Sequence, residues 1–427
     1  MGIAGSGASA CAAIAHAQGF EVSGCDTSLE SEFLDNLPVD IKITEAHSSS
    51  HLQNVEILAI SPAIESLDAD NPELIKARQR GIKVMTWQQF MGKYLTKGKN
   101  VIAVCGTHGK STTTAMLGKI LEDGGMDPTV LLGAIIPPWG KNFRIGESKY
   151  FVIEADEFND NFLSLTSEIA VVTNIEYDHP EYFSSYTDYQ RSFQNFLHKT
   201  KSLIIANLSD KGIQETLADE RVQIGKFLKP MVDFSANLID FPLKISGLHN
   251  ILNASAAYHA SMALNVNPKV VKKSLEQFEG IGRRMEEIGT INGAKIFSDF
   301  GHHPTEVETT VKAFKDTFPD KKVWLIYQPH MYTRTKALFN EFVKSFKNLE
   351  VAGAIIIDIY ASREKENKQM SSKLLTQAIN LSNIEYVPNI RDVFNEIKEN
   401  LSENDIVIFM GAGDIDKEIR KQMSSRT

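Results

Sequence analysis

The chain has 427 residues, enough for about three domains at ~150 residues each. Lys and Arg number 45 against 54 Asp and Glu, a net charge of −9 that argues against a nucleic-acid binder working by phosphate neutralisation. The composition, 42% hydrophobic and 23% charged, is that of a folded chain. No apolar run reaches the ~18 residues of a membrane-spanning helix, so no membrane insertion is expected. Three cysteines (Cys11, Cys25, Cys105) have neither a disulfide framework nor metal-ligand spacing, which points to a reducing, cytoplasmic setting.

Short β-branched runs alternate with amphipathic helical stretches from end to end, the pattern of parallel sheets with crossover helices. The opening Met1–Ser6 fits a lipidation pattern, and the apolar run to Ala17 could pass for a leader. No Lys or Arg precedes Lys42, however, and a glycine turn opening a helix accounts for the same residues. The first block, 1–98, has strand-like runs at Phe20–Asp26, Ile57–Ser61 and Lys83–Thr86, and ends at the polar linker Thr96–Asn100. The second, 99–282, starts with the strand Val101–Cys105, followed by a glycine turn and a helix over Thr112–Leu121. Further strands follow at Tyr150–Glu154, Ile169–Asn174 and Leu203–Ala206. The third, 283–427, reads as strands Lys295–Asp299, Val323–Tyr327, Ala354–Ile359 and Ile406–Met410 with helices between.

Strand after strand ends in a polar cluster: Gly106–Ser111, Glu154–Glu157, Asn174–His179, Asp299–His303, Gln328–Arg334 and Gly411–Asp414. Ligands of open parallel sheets bind beyond the carboxyl ends of the strands, so these clusters are the expected active-site loops. Gly106-Thr-His-Gly-Lys-Ser111 sits between a strand and a helix, where backbone N–H groups attract phosphate oxygens. Lys110 would neutralise β/γ charge, and Ser111 Oγ could ligate Mg²⁺. The turn is shorter than the general GxxxxGK[ST] pattern. Glu154, ending an apolar strand, is the expected metal carboxylate, with Asp156 and Glu157 adding negative charge.

The ordered series GTHGKSTTT (Gly106–Thr114), EADE (Glu154–Glu157), TNIEYDH (Thr173–His179), HNILN (His249–Asn253), GRR (Gly282–Arg284), DFGHHPTEV (Asp299–Val307), QPHMYTRT (Gln328–Thr335) and GAGDI (Gly411–Ile415) resembles the Mur ligase family of ATP-dependent amide-forming enzymes of peptidoglycan synthesis. The resemblance spans essentially the whole chain. It implies an α/β fold of three domains. These are a Rossmann-like N-terminal domain for a UDP-sugar, a central P-loop ATPase domain, and a Rossmann-like C-terminal domain closing on nucleotide and amino acid. The segments QPHMYTRTKALF and DIYASRE favour the member that joins L-alanine to the lactyl carboxylate of UDP-N-acetylmuramate; the nearest rival attaches a preformed tripeptide. ATP and Mg²⁺ are the implied cofactors, and a monomer or weak homodimer is the expected assembly.

Carried over residue by residue, Gly106, Thr107, His108, Gly109, Lys110, Ser111 and Thr112 would cradle phosphates, with Ser111, Glu154 and His179 holding magnesium. Asn250 and Asn253 would sit near adenine, and Arg284 and Asp299 would reach the ribose or phosphates. His302, His303, His330 and Arg334 would line the amino-acid side. The amine nucleophile must lose a proton, which an imidazole can assist, leaving His302, His303 and His330 as alternatives. A buried histidine is more often structural, and of two neighbours one is expected to face inward. Arg334 is suited to bidentate capture of the amino acid's carboxylate.

In the first block, Gly2-Ile-Ala-Gly5-Ser6-Gly7 with Asp26 about twenty residues on fits a loose dinucleotide fingerprint, which by itself reads as NAD with Asp26 on a ribose hydroxyl. The resemblance instead places UDP there, with Gly5, Ser6 and Gly7 at the diphosphate and His47 and Ser61 near the uridine. Relatives have a short strand just before this turn, whereas Met1 stands where that strand should end. Either that strand is missing or the start lies upstream. A simple ATPase using only the central block, and a weakly active sugar-nucleotide binder, are the alternatives from other functional classes.

Overall fold

The computed structural model describes residues 1–218, 230–367 and 369–424. Its contacts group into two units. One comprises Met1–Glu176, Tyr186–Pro242 and Leu252–Phe278; the other comprises Tyr177–Ser185, Leu243–Ile251 and Glu279–Thr427. The first two sequence blocks therefore fall in one unit. The two segments Tyr177–Ser185 and Leu243–Ile251, central by sequence, fold with the third block.

In the first unit, the N-terminal block has two parallel strand pairs, Ser23–Asp26 with Lys42–Glu45 and Ile57–Ile60 with Lys83–Thr86. Residues 1–3 run between them. The Met1 amino group donates to Ala59 O at 2.8 Å, and Ser61 N donates to Met1 O. On the other side, Gly2 N and Ile3 N both donate to Cys25 O. The first residues thus bridge the two pairs through backbone bonds. The helix Ser6–Ala17 follows at once, and its apolar residues Ala10, Ala13 and Ile14 are fully buried.

The central block carries a seven-stranded sheet, in the order Met231–Asp233, Leu203–Ala206, Ile169–Val172, Asn100–Cys105, Tyr150–Glu154, Thr129–Ile136, Lys141–Arg144. Asn100–Cys105 is central and apolar on both faces, as a strand covered on both sides must be. All pairings are parallel except the Lys141–Arg144 edge, which runs antiparallel to Thr129–Ile136. The helix after the glycine turn spans Lys110–Asp123, longer than the sequence pattern implied, and buries Ala115, Met116, Leu117, Ile120 and Leu121.

The second unit is built on a six-stranded sheet, Glu286–Ile291, Ala294–Asp299, Asp405–Met410, Lys322–Tyr327, Gly353–Ile356, Ile384–Tyr386, with only the first strand antiparallel. Its central strand Asp405–Met410 sends Ile406, Ile408 and Met410 into one core and Val407 and Phe409 into the other. That alternation is the two-residue period of a strand covered on both faces. The sequence reading placed the inner strands of both sheets except Thr129–Ile136, and also omitted the short or edge strands Lys42–Glu45, Lys141–Arg144, Met231–Asp233, Glu286–Ile291 and Ile384–Tyr386. Edge strands lack a continuous apolar signature because only part of their surface is covered.

Candidate active site

In the first unit, the strand Asn100–Cys105 runs into Gly106 (φ 134°) and the turn closes at Gly109 (φ 81°), the residue before the helix. Both positions demand glycine. A Cβ on Gly106 would lie 2.1 Å from Thr173 Oγ1, and one on Gly109 would lie 2.2 Å from Asn253 Oδ1. The segment after Ile169–Val172 pins the turn from the side. Thr107 N donates to Asn174 O, His108 N donates to Asn174 Oδ1 at 2.9 Å, and Thr173 Oγ1 donates to His108 O at 2.6 Å. Thr107 Oγ1 accepts from Glu176 N and contacts Tyr189 Oη at 2.8 Å, while His108 Nε2 meets Glu176 Oε2 at 3.1 Å. Thr112 is buried in the first helical turn. Asn253, expected near adenine, stands with its amide oxygen against Gly109.

Lys110 folds back over this turn. Its Nζ donates to Gly106 O at 2.6 Å and Thr107 O at 3.0 Å, and lies 2.9 Å from Glu157 Oε2. Burial alone would lower its pKa, but the charges of Glu157, Asp156 and Glu154 outweigh burial and hold it above the ordinary lysine value. Glu157 is fully buried and also accepts from Tyr189 Oη at 3.1 Å. Sequence reasoning gave Glu157 only a share of negative charge; its place as the lysine's counterion, and Tyr189 beside it, went unread. Asp156 accepts from Phe158 N and Asn161 Nδ2, shaping its own loop.

Ser111 Oγ lies 2.9 Å from both oxygens of Glu154, and Gly133 N donates to Glu154 Oε2 at 2.6 Å. Three hard oxygens thus meet at the start of the helix, at the end of a neighbouring strand. This donor set fits Mg²⁺, which prefers a few anionic oxygens and keeps its remaining positions for water and phosphate.

In the second unit, Arg334 is 2% exposed and its Nε and Nη2 donate to Asp178 Oδ1 and Oδ2 at 2.7 and 3.3 Å. Burial raises the Asp178 pKa, and the Arg334 charge more than reverses this, holding the carboxyl well below its usual range. In this structure the forked face of the Arg334 guanidinium, expected to capture a substrate carboxylate, meets Asp178. Arg334 Nη1 donates to His330 Nδ1 at 2.9 Å, which leaves the His330 proton on Nε2. His330 stacks on Tyr360, and burial, His302 and Arg334 push its pKa down to about 2.

His179 adopts a left-handed backbone (φ 56°), and its Nδ1 lies 3.1 Å from Glu181 Oε1 and 3.4 Å from Arg334 Nη2. A carboxylate beside a ring nitrogen is the usual bracing of a metal-ligating imidazole. Glu181 also accepts from Arg363 at 2.7 Å. Burial raises its pKa, but the His179 bond and the His179 and Arg334 charges prevail, bringing it to about 2. Asp178 and Glu181 flank a histidine that was singled out, so the DHPE string itself was the available signal.

The two adjacent histidines divide as expected. His303 is 2% exposed and caps the helix Pro304–Thr317: its Nδ1 accepts from Thr305 N, and its Nε2 donates to Tyr177 O at 3.3 Å. Both ring nitrogens of His303, a catalytic candidate by sequence, meet the backbone in this structure. His302 Nδ1 donates to Phe300 O at 3.1 Å, which puts the lone pair on Nε2; burial pushes its pKa down to about 4. Asp299, expected at the nucleotide, is buried and spends Oδ2 on Met285 N and Oδ1 on Gly301 N. Asp299 thus fixes the turn that carries its neighbours. Arg284 pairs with Glu306 at 3.2 Å, and Arg283 and Arg284 both contact the Phe300 ring. Asn250 donates to Ser246 O, holding the entry to its helix.

In the N-terminal block, Gly5 precedes the helix and a Cβ on Gly7 would lie 2.3 Å from the Trp87 ring, so Gly7 allows that packing. Ser6 O accepts from Asn142 Nδ2. Asp26, expected on a ribose hydroxyl, accepts from Ala4 N and Thr27 N, both at 2.8 Å, so its carboxylate also shapes the glycine turn. Ser61 begins the helix Pro62–Leu67 beside Gly2, and His47 lies at 3.3 Å from Cys25 Sγ.

A strand, a glycine turn and a helix opened by lysine and serine, with a carboxylate ending the adjacent parallel strand, define a P-loop nucleotide-binding α/β protein. The chain belongs to the Mur ligase family. The family's catalytic-domain model matches residues 1–98, its middle-domain model 104–261, and its glutamate ligase domain model 283–413. The chain is 36% identical over 445 residues to UDP-N-acetylmuramate–L-alanine ligase of Caldicellulosiruptor saccharolyticus, covering 98% of this chain and 96% of that one. Among solved structures, UDP-N-acetylmuramate-alanine ligase from Thermotoga maritima matches with a TM-score of 0.80 at 24% identity, over 100% of this chain and 98% of that chain. A murein peptide ligase from Psychrobacter arcticus matches with a TM-score of 0.70 at 23% identity, over 99% and 97%. The fold is thus the three-domain α/β fold of this family. Among the described residues no helix is long and apolar enough to cross a membrane.

Proposed function

We infer that the chain is an ATP-dependent ligase that joins L-alanine to the lactyl carboxylate of UDP-N-acetylmuramate through an acyl phosphate, in peptidoglycan precursor synthesis. The observation that carries this reading is the meeting of Ser111 Oγ with both Glu154 oxygens beside the turn that Lys110 closes. A carboxylate is a poor electrophile, so a lactyl oxygen must first attack the γ-phosphorus, with the bond to ADP breaking. The amine of alanine then attacks the acyl carbon, phosphate leaves, and the amine proton passes to a base. Both reactants of the first step are anions, and Lys110 supplies the cation that lets them approach. Ser111 and Glu154 would hold Mg²⁺, with His179 proposed as a further ligand, and the ion would supply positive charge to the phosphate oxygens.

Among the three histidines, the tautomers favour His302 as the base. His303 spends both nitrogens on the backbone and His330 carries its proton on Nε2, whereas His302 presents Nε2 as an acceptor. We place UDP at Gly5, Ser6 and Gly7, and the reaction in the cytoplasm, carried out by a monomer or weak homodimer with domains at 1–98, 99–282 and 283–427. Relatives at 32–36% identity carry the L-alanine ligase name, which favours free alanine over a preformed tripeptide. ADP release measured with UDP-N-acetylmuramate and either amine tests this. L-alanine is expected to support turnover, and a preference for tripeptide would overturn the assignment.

A further inference from the structure

Away from the phosphate turn, four side chains from separate segments of the N-terminal block converge. They are Cys25 at the end of the strand Ser23–Asp26, His47 in the loop after Lys42–Glu45, His51 in the short helix Ser49–Leu52, and Glu73 in the first turn of the helix Pro72–Gln79. Cys25 Sγ lies 3.3 Å from His47 Nδ1 and 3.4 Å from Glu73 Oε2, and His47 Nδ1 lies 3.9 Å from Glu73 Oε2. The edges of a tetrahedron around zinc, built from bonds of ~2.3 Å to sulfur and ~2.0 Å to nitrogen and oxygen, are about 3.3–3.6 Å. The three observed edges fall at or close to that range. His51 Nδ1 lies 3.4 Å from Glu73 Oε2 and meets the group through that carboxylate.

Glu73 is 1% exposed, and its Oε2 also accepts from Ser48 N at 2.9 Å. Cys25 offers a single S–H proton between the His47 nitrogen and this carboxylate. A buried carboxylate beside a thiol and an imidazole is a setting in which a bound cation offsets the cost of desolvation. His51 Nδ1 is buried with no hydrogen-bond partner among the described residues, and the Thr44 hydroxyl lies 3.3 Å from His51 Nε2. The Thr44, His51 and Ser48 contacts supply the outer bracing that orients metal ligands.

We propose that Cys25, His47 and Glu73 form a zinc site that staples the N-terminal block, with His51 bracing the Glu73 carboxylate. The donor set, one sulfur with one imidazole and one carboxylate, selects a borderline-soft ion over Mg²⁺ and leaves the fourth tetrahedral position to water. The sequence gives no spacing signal for it, because the ligands come from three separate segments. The thiol binds as a thiolate, so zinc must displace its proton.

The test titrates the full-length protein with Co²⁺ and, separately, with Zn²⁺ against a chromogenic chelator, with excess Mg²⁺ present throughout to fill hard-oxygen sites. One equivalent of Co²⁺ is expected to give a thiolate-to-cobalt charge-transfer band and the intense visible bands of a tetrahedral ion. Cys25→Ser should abolish the charge-transfer band and weaken zinc at least tenfold. His51→Ala should keep that band and weaken zinc about tenfold, by analogy with the loss of a bracing group. Circular dichroism of each variant establishes that it is folded. Absence of saturable binding to the wild type, a cobalt spectrum without the sulfur band, or equal zinc affinity in folded Cys25→Ser overturns the proposal.

Discussion

Arg334 Nε donates to Asp178 Oδ1 at 2.7 Å across 156 residues of sequence, and both side chains are buried. Removing one member of a buried ion pair leaves the other charge without compensation, which costs about 3–5 kcal/mol. Asp178→Ala is therefore expected to lower stability by that order in urea unfolding. The double variant Asp178→Ala/Arg334→Met should recover part of the loss, because no buried charge is left alone. A single variant as stable as wild type would show that the pair is dispensable.

Acid sensitivity follows from the neighbouring carboxylate. The Glu181 pKa is brought down to about 2, against an ordinary value of ~4.3 in the unfolded chain. A depressed pKa means that the stabilisation is complete above the unfolded value and is lost as pH falls toward the folded one. Wild-type stability should thus fall between about pH 4.3 and 2 more steeply than that of Glu181→Gln. Parallel profiles measured by chemical denaturation at each pH would contradict this.

His302 and His303 are predicted to fail differently. His303→Ala removes a helix cap, worth about 1 kcal/mol, and should lower Tm with kcat little changed. His302→Ala should lower kcat by about 10²-fold or more, the usual effect of losing a general base, with Tm less affected. Steady-state kinetics beside calorimetry separates the two, and the reverse pattern would exchange their roles.

Lys110→Ala is predicted to lower turnover by about 10³-fold, the scale of losing a key charge-stabilising donor. UDP-N-acetylmuramate binding, assigned to the N-terminal block, should stay nearly unchanged in calorimetric titration. Equal loss of both would contradict that division of labour.

The inner strands and the phosphate turn were legible because their signals are local. Asn100–Cys105 is a continuous apolar run, and Gly106 and Gly109 sit where positive φ is needed. Lys110, Ser111 and Glu154 could be paired because each lies at a strand or helix end. What the sequence could not show is which polar side chain serves another side chain far away. Arg334, Asp299, Asp26 and His303 all carry the chemistry of substrate ligands, yet here they bond Asp178, two backbone amides, the glycine turn and a helix start. Their donors and acceptors are set by tertiary approach, which leaves no periodicity in the chain. Glu157 escaped for the same reason, since only burial beside Lys110 distinguishes it from Asp156.

The central claim, that the γ-phosphoryl group passes to the lactyl carboxylate before the amide forms, has a direct measurement. UDP-N-acetylmuramate labelled with ¹⁸O in that carboxylate is turned over with ATP and L-alanine, and the released phosphate is analysed by mass spectrometry. One labelled oxygen per turnover is expected in the phosphate; phosphate free of label would contradict the account.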